Sequence, residues 1–145
     1  MQHQSETPDS KRKAVVIGGC GFLGRRLVAM LSGGDASLTP SPEWPRFDHV
    51  HVFDRAPFVE TDAERASRER GGVGLTSSTG DVRAKADLIA AITGAHTVFH
   101  LASLVDVGLK KNTTIEEINV GGTRNVVEVC QALGVPFLVY TSTED

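Results

Sequence analysis

Residues 14–24 read AVVIGGCGFLG, and this is the most informative stretch of the sequence for predicting the fold. The apolar run Ala14–Ile17 is typical of a strand buried on both faces of a parallel sheet. Glycines then recur at the spacing G-x-x-G-x-x-G. Beyond them, apolar residues follow helical spacing up to a stop at Gly33-Gly34. The glycines are Gly18, Gly21 and Gly24, and the apolar residues of the helix are Leu23, Leu27, Val28 and Leu31.

A strand, a glycine loop and a helix in this order predict a site for the phosphates of a dinucleotide. The first glycine permits a tight turn, the second lets the backbone approach a pyrophosphate, and the third lets the helix pack closely on the strand. The free N–H groups of the first helical turn, from Phe22 through Leu23 to Gly24, then attract the negative phosphates. A plain glycine-rich turn is the alternative, because glycine supplies 15 of the 145 residues.

Further along the chain, apolar runs alternate with helical patterns. The charged segment Glu60–Arg70 lacks an apolar stripe and is compatible with a solvated helix or a loop, and the proline-rich Ser37–Phe47 is typical of a surface loop. The predicted strands are Ala14–Ile17, His49–Phe53, Gly72–Thr79, His96–Leu101 and Pro136–Thr141, and the later helices are Ala86–Thr93 and Thr113–Leu133. This alternation predicts an α/β fold, a doubly wound parallel Rossmann sheet in the order 3-2-1-4-5, which stops after the fifth strand.

The composition sets the limits of the domain and of its partners. We expect a disordered polar leader over residues 1–13 and one incomplete NAD(P)-binding domain over residues 14–145. A formal net charge of −3 argues against nucleic acid as a partner. Two cysteines and no secretion signal favour a reduced, cytoplasmic protein, although a longer parent protein could still sit at the endoplasmic reticulum membrane. No metal site is predicted.

An acidic residue after the second strand indicates which dinucleotide is bound. Asp54 stands where the hydroxyls of the adenosine ribose need an acceptor. A carboxylate also repels a 2′-phosphate, so NAD is predicted and NADP is disfavoured. Two observations oppose this: Asp54 lies thirty residues beyond Gly24, and the adjacent Arg55 could bind a 2′-phosphate instead. An ordinary aspartate at a strand end is the structural alternative.

Five segments in succession resemble the extended short-chain dehydrogenase/reductase family. The chain is most similar to its 3β-hydroxysteroid dehydrogenase/isomerase group, on the context of Tyr140-Thr141-Ser142. The resemblance runs from Ala14 to the end of the chain. The segments are VIGGCGFLG (16–24), GDV (80–82), DLIAAITGAHTVFHLAS (87–103), INVGGTRNVVEVC (118–130) and FLVYTST (137–143).

The resemblance implies further site residues. Asp81 and Val82 would contact the adenine, and Leu101 and Ala102 would line the cofactor. Asn119 and the hydroxyl of Thr143 would belong to the active site, and Ser142 would supply the hydroxyl if Thr143 does not. Each has a structural alternative: Asp81 could cap a helix, His100 could be a satisfied core histidine, and Asn119 could merely solvate its helix. Gly121 and Gly122 are expected to let their helix approach the sheet closely.

The same resemblance shows what this sequence lacks. The family's Tyr-x-x-x-Lys pair is absent: Tyr140 is the only tyrosine, it lies in the fifth strand, and Glu144 stands four residues beyond it. Ile17 also replaces the threonine of many members. We therefore expect the cofactor-binding part of an NAD-dependent oxidoreductase that acts on a secondary alcohol, ketone or sterol, itself without turnover. One alternative is a non-catalytic module that binds either a dinucleotide or a partner, such as a second copy, through its open sheet edge. Another is a different Rossmann enzyme such as a methyltransferase, but that would leave the 80–82 and 120–123 motifs unexplained.

Overall fold

A computed structural model of the chain describes residues 11–103 and 112–142. Strands and helices alternate along these residues, as the sequence predicts. The strands are β1 (Lys13–Ile17), β2 (His49–Asp54), β3 (Gly74–Thr79), β4 (Thr97–His100) and β5 (Phe137–Tyr140). The helices are α1 (Phe22–Ser32), α2 (Asp62–Glu69), α3 (Lys85–Ile92), α4 (Asn112–Glu116) and α5 (Gly122–Ala132), and a five-residue π-helical turn, Glu117–Gly121, joins α4 to α5.

The strands form one parallel sheet in the order β3-β2-β1-β4-β5, which confirms the predicted topology. Strand β1 lies at its centre, with Val15 opposite His51 of β2 and Val98 of β4. From β1 the chain first adds β2 and β3 on one side of the sheet and then crosses to add β4 and β5 on the other. Open α/β sheets bind their ligands at such a switch point.

Each face of the sheet has its own hydrophobic core. On one face, α3 and α5 cover Val15 and Ile17 of β1, both fully buried, together with Val98 of β4. On the other face, α1 covers Ala14 and Val16 of the same strand. Because β1 is buried on both sides, its run of four apolar residues is explained by the fold.

Four apolar residues at helical spacing are exposed in the structure. Leu23, the second residue of α1, is 54% exposed. Ile89 of α3, Val127 of α5 and Leu133, which directly follows α5, are also more than one third exposed. The helices therefore bury narrower apolar stripes than their sequences contain.

The predicted single helix Thr113–Leu133 is also wrong in one respect. It is interrupted by the π-helical turn Glu117–Gly121, called the π turn below. The charged segment Glu60–Arg70 resolves into helix α2, because Thr61 caps it. The Thr61 hydroxyl accepts a hydrogen bond from the Glu64 N–H at 3.1 Å, and the Glu64 carboxylate accepts one from the Thr61 N–H at 2.9 Å.

Candidate functional site

A cleft of about 660 Å³ opens at the carboxyl ends of the strands, over the switch point. The residues that follow four neighbouring strands meet there, so the fold collects side chains that lie far apart in the sequence. Its lining includes Ile17 at the end of β1 with Gly18, Cys20 and Gly21 after it, Phe53 and Asp54 at the end of β2 with Arg55 and Ala56 after it, Gly80 and Val82 after β3, Leu101, Ala102 and Ser103 after β4, and Ile118 of the π turn.

The glycine loop has the geometry that phosphate binding requires. Gly18 adopts a left-handed φ of +86°, and a Cβ there would lie 2.7 Å from the Ala102 nitrogen. A Cβ on Gly24 would lie 2.1 Å from the Gly18 oxygen, so α1 packs directly on the loop. Gly21 is the N-cap of α1, and no side chain caps the helix at this end. The helix therefore presents its first N–H groups toward the cleft.

The loop also contains a glycine requirement that the sequence pattern does not reveal. A Cβ on Gly19 would lie 2.4 Å from Cγ1 of Val52, so this position is closed by the neighbouring strand. Of the three residues expected to offer their amides, Phe22 projects its ring outward and is 87% exposed. Phe22, Leu23 and Gly24 lie outside the cleft lining, and they contribute only main-chain N–H groups at the helix end.

Asp54 stands in the cleft wall at the end of β2, as predicted, and it also holds the loop in place. Its Oδ2 accepts a hydrogen bond from the Cys20 N–H at 2.9 Å, and its Oδ1 accepts one from the Ala56 N–H at 2.9 Å. Each carboxylate oxygen keeps a second lone pair for a ligand hydroxyl. Burial and the Asp54 charge raise the pKa of the Cys20 thiol, so Cys20 stays a protonated filler of the loop.

Asp81 is held by two arginines beside the cleft. Arg83 Nη2 donates to its Oδ2 at 2.7 Å, and Arg55 Nε lies 3.9 Å from the same oxygen. The hydrogen bond from Arg83 is the main reason that the pKa of Asp81 falls to about 2. Asp81 does not cap α3, because Ala84 is the N-cap residue of that helix. Its side chain lies outside the cleft lining, whereas Arg55 lies within it.

Helix α5 fixes the main chain at Val82, which is 5% exposed in the cleft wall. Asn125 Nδ2 donates to the Val82 carbonyl at 3.0 Å. A Cβ on Gly122 would lie 2.5 Å from a Val82 methyl group, so only glycine permits this approach. A Cβ on Gly121 would meet nothing within 4 Å, so the close-approach role predicted for both glycines belongs to Gly122 alone.

The remaining predicted site residues divide into three groups. Leu101 and Ala102 line the cleft directly after β4. Asn119 lies in the π turn, and its carbonyl accepts a hydrogen bond from the Thr123 hydroxyl at 2.6 Å. Ser142 follows β5 and is exposed, while Thr143 lies outside the described residues. The predicted active-site hydroxyl at Thr143 therefore stays a prediction.

The residues present fit a dinucleotide. The glycine cradle, the open helix end and the Asp54 carboxylate share one cleft, and this combination suits a pyrophosphate next to a ribose. Within residues 11–103 and 112–142, no group of three or more His, Cys, Asp or Glu side chains could hold a metal ion. The same residues include no helix that is long and apolar enough to span a membrane.

Strand order, glycine loop and strand-end carboxylate together define a Rossmann unit of the short-chain dehydrogenase/reductase class. A sequence profile of the 3-beta hydroxysteroid dehydrogenase/isomerase family matches residues 15–145, and the chain belongs to that family. It is 42% identical over 132 residues to human 3 beta-hydroxysteroid dehydrogenase type 7, covering 89% of this chain and 32% of the relative. It is 33% identical over 144 residues to 3beta-hydroxysteroid-dehydrogenase/decarboxylase isoform 1 of Arabidopsis thaliana, covering 95% and 30%. The chain thus spans about a third of these relatives.

Solved structures share the fold. Uronate dehydrogenase from Agrobacterium tumefaciens superposes with a TM-score of 0.68 at 20% identity, over 92% of this chain and 41% of its own. MoeE5, solved in complex with UDP-glucuronic acid and NAD, superposes with a TM-score of 0.67 at 26% identity, over 90% and 36%. DesIV, a dTDP-glucose 4,6-dehydratase from Streptomyces venezuelae solved with NAD and TYD bound, gives 0.64 at 25% identity, over 87% and 38%.

Proposed function

We propose that this chain binds NAD in the cleft at the carboxyl end of its sheet. The observation that carries the proposal is the contact between Gly18 and the end of β4, next to the open N-terminus of α1. In this arrangement the helix N–H groups would hold the pyrophosphate, and Asp54 would accept from the ribose hydroxyls. MoeE5 and DesIV, solved with NAD at 26% and 25% identity, support the choice of cofactor.

We further propose that the protein to which this chain belongs is an oxidoreductase for a secondary alcohol or ketone, with a 3β-hydroxysteroid or sterol as substrate. Family membership and the names of the relatives support this substrate class. Bound NAD supplies the hydride chemistry, and the protein supplies orientation and a base for the hydroxyl proton. In this chain Thr143, or else Ser142, would orient the substrate oxygen, and Asn119 would help to organise the site.

The 145 residues alone are proposed to be inactive. A threonine or serine hydroxyl is too weak a base at neutral pH to take the substrate proton. The neutral imidazole of His100 is buried at 1% exposure, and its Nε2 is already hydrogen-bonded to Thr123. Tyr140 stacks on His100 with ring centroids 5.4 Å apart, and Glu144 rather than lysine stands four residues beyond it.

Two measurements on the chain as it is test this function. Calorimetry with NAD should show saturable binding of one molecule, and NADP should bind more weakly. Absorbance of NADH with a panel of sterols and other secondary alcohols should show no turnover. A longer natural protein that adds a Tyr-x-x-x-Lys segment should restore turnover. Absence of NAD binding would contradict the first proposal, and NADH production by the 145 residues would contradict the inactivity.

A second candidate function is a non-catalytic module that binds a partner, and one observation favours it. All four residues of β5 are exposed, among them Phe137 at 58% and Tyr140 at 51%. An edge strand of this kind is a template for pairing with another chain. Light scattering across a range of concentrations would reveal self-association through β5, and a homodimer stays a prediction until then.

A further inference from the structure

His100 is a buried polar residue at the end of β4 that the proposed function does not use. It is 1% exposed, and Leu101 and Ala102, which follow it, form part of the cleft wall. Its ring stacks on Tyr140 on one side. Burial lowers the pKa of His100 to about 4, so the ring is neutral at physiological pH. A neutral buried imidazole must still place its one N–H hydrogen where a partner accepts it.

The hydrogen bonds around His100 determine which nitrogen carries that hydrogen. The Thr123 hydroxyl donates its only hydrogen to the Asn119 carbonyl at 2.6 Å. His100 Nε2 lies 3.0 Å from the same hydroxyl oxygen, which can therefore only accept. Nε2 thus carries the hydrogen. Nδ1 is a bare acceptor, buried and without a hydrogen-bond partner in the part of the chain that the structure describes.

This chain of hydrogen bonds ends inside the π turn. Asn119 is the third residue of the turn, and Ile118 before it is 4% exposed and lines the cleft. In the π turn the main-chain hydrogen bonds are shifted by one residue, as the Gly122 N–H donates to the Glu117 carbonyl, and side chains can add contacts to the carbonyls. The Thr123 hydroxyl does this for Asn119, and His100 fixes the direction of the Thr123 hydroxyl.

We propose that His100 and Thr123 are positioning residues that hold the π turn in the shape that forms one wall of the cofactor cleft. The proposal deepens the function proposed above and rests on it. His100 contributes through its Nε2–H and not through proton transfer. These two side chains couple the end of β4, which contacts Gly18, to the π turn, which contains Asn119.

Paired substitutions separate the hydrogen bond from the packing. A glutamine amide reaches the place of a histidine Nε2, so His100→Gln keeps a donor to Thr123, whereas His100→Leu fills a similar volume without one. Thr123→Ser keeps the hydroxyl and Thr123→Val removes it at almost constant shape. Val129→Ala is the matched stability control, since Val129 lies in the core on α5 at 4% exposure and away from the cleft. The readout is the dissociation constant for NAD by calorimetry, under conditions where circular dichroism shows each variant folded.

We expect His100→Leu and Thr123→Val each to raise the dissociation constant about fivefold, the scale of one intramolecular hydrogen bond. The dissociation constant should stay within about twofold of the parent value in three variants, His100→Gln, Thr123→Ser and Val129→Ala. The loss of a hydrogen bond should change it by more than this. Combining His100→Leu with Thr123→Val should add almost nothing, because both break one chain of hydrogen bonds. If Thr123→Val binds NAD as the parent does, or if His100→Gln is as weak as His100→Leu, the positioning role is wrong.

A second readout needs no NAD. Long-range proton–nitrogen NMR of the free chain should show His100 as the Nε2–H tautomer, and Thr123→Val should shift the amide signals of Ile118 and Asn119 more than those of α3. Protonation on Nδ1, or amide signals that do not move, would overturn the inference even if the chain binds NAD. If the parent chain fails to bind NAD while both NMR results are obtained, the proposed function fails and the structural coupling stands.

Discussion

Asp54 holds the loop after β1 in place, and the proposed NAD complex would give it a second role at the ribose. Its carboxylate oxygens receive the N–H groups of Cys20 and Ala56, so the phosphate loop and the residues after β2 are tied together before any ligand arrives. Asp54 also lines the cleft. Substitutions here should change the shape of the loop as well as the proposed contact with the ribose.

Asp54→Asn should weaken NAD binding about tenfold or more, the scale of a hydrogen bond to a charged group. The amide keeps one acceptor oxygen, so one of the two loop contacts is lost along with the charge. NADP should lose less than NAD, because the repulsion of its 2′-phosphate disappears. Calorimetry with both dinucleotides measures this. Asp62→Asn, a fully exposed carboxylate on α2, is the control. Equal losses for NAD and NADP would contradict the assigned role.

Gly18→Ala should abolish measurable NAD binding and destabilise the fold. Its φ of +86° disfavours any side chain, and the added Cβ meets the main chain of Ala102 at 2.7 Å. Gly71 has a φ of +81° with nothing within 4 Å of its Cβ, so Gly71→Ala carries the backbone strain without the collision. We expect urea unfolding to show Gly18→Ala less stable than Gly71→Ala by about 1–3 kcal/mol, the usual cost of overpacking. Equal losses would mean that the contact with Ala102 is not tight.

In a longer protein that contains this chain and a Tyr-x-x-x-Lys pair, Thr143→Val should lower the turnover number about a hundredfold, the scale for one positioned donor in an active site. Valine keeps the shape of the side chain and removes the hydroxyl that would orient the substrate oxygen. NADH absorbance with sterol substrates measures the loss, and Thr141→Val, two residues earlier in the sequence, serves as the comparison. Unchanged turnover would move the role to Ser142 or remove it from the mechanism.

The helices and strands show what the sequence could predict. The strand order followed from the alternation of elements and from the glycine loop, because right-handed crossovers leave few arrangements. Helix α2 was left open between helix and loop, yet Thr61 and Glu64 are a capping box that the sequence contains. The sequence did not predict the π turn, in which Asn119 is linked through Thr123 to His100, 23 residues from Thr123. The closed position of Gly19 likewise depends on Val52 of the neighbouring strand.

Thr61→Ala should lower the free energy of unfolding by about 1 kcal/mol, because it removes the N-cap acceptor of α2. Thr61→Ser keeps the hydroxyl oxygen and should restore most of that stability. Urea unfolding of the three chains gives the comparison. If Thr61→Ala is as stable as the parent chain, the cap contributes nothing, and α2 is held by its packing on α1 alone.

Across the whole molecule, the buried His100 and the partly buried His51 link stability to pH. Burial is the first cause that lowers the pKa of both His51 and His100 to about 4, with the Lys13 charge adding to it for His51. His51 Nδ1 lies 2.7 Å from the Thr76 hydroxyl and its Nε2 lies 2.8 Å from that of Ser78. In the unfolded chain both rings return toward the ordinary histidine pKa of about 6.5. The unfolded chain therefore binds more protons in mildly acidic solution.

Stability should accordingly be constant above about pH 6.5 and should fall as the pH drops toward 4, where the folded histidines also begin to take up protons. The midpoint of urea unfolding at several pH values measures the slope. His51→Gln should make the slope in this window shallower. Asp35→Asn should leave the slope between about pH 5 and 6.5 unchanged, because the pKa of Asp35 is lowered from an ordinary value of about 3.9 that already lies below this range. Stability that rises on acidification would contradict the burial of the two rings.

NAD is proposed to occupy the cleft formed where β1, β2, β3 and β4 end. An NMR titration of the 145-residue chain with NAD, following every backbone amide, tests this binding site. We expect saturable shifts that are concentrated in the glycine loop and at the neighbouring strand ends, with β5 and α2 little changed. The residues expected to shift are Gly18–Gly24, Asp54–Ala56, Gly80–Val82 and Leu101–Ala102. Saturable shifts centred elsewhere, or no shifts at millimolar NAD, would contradict it.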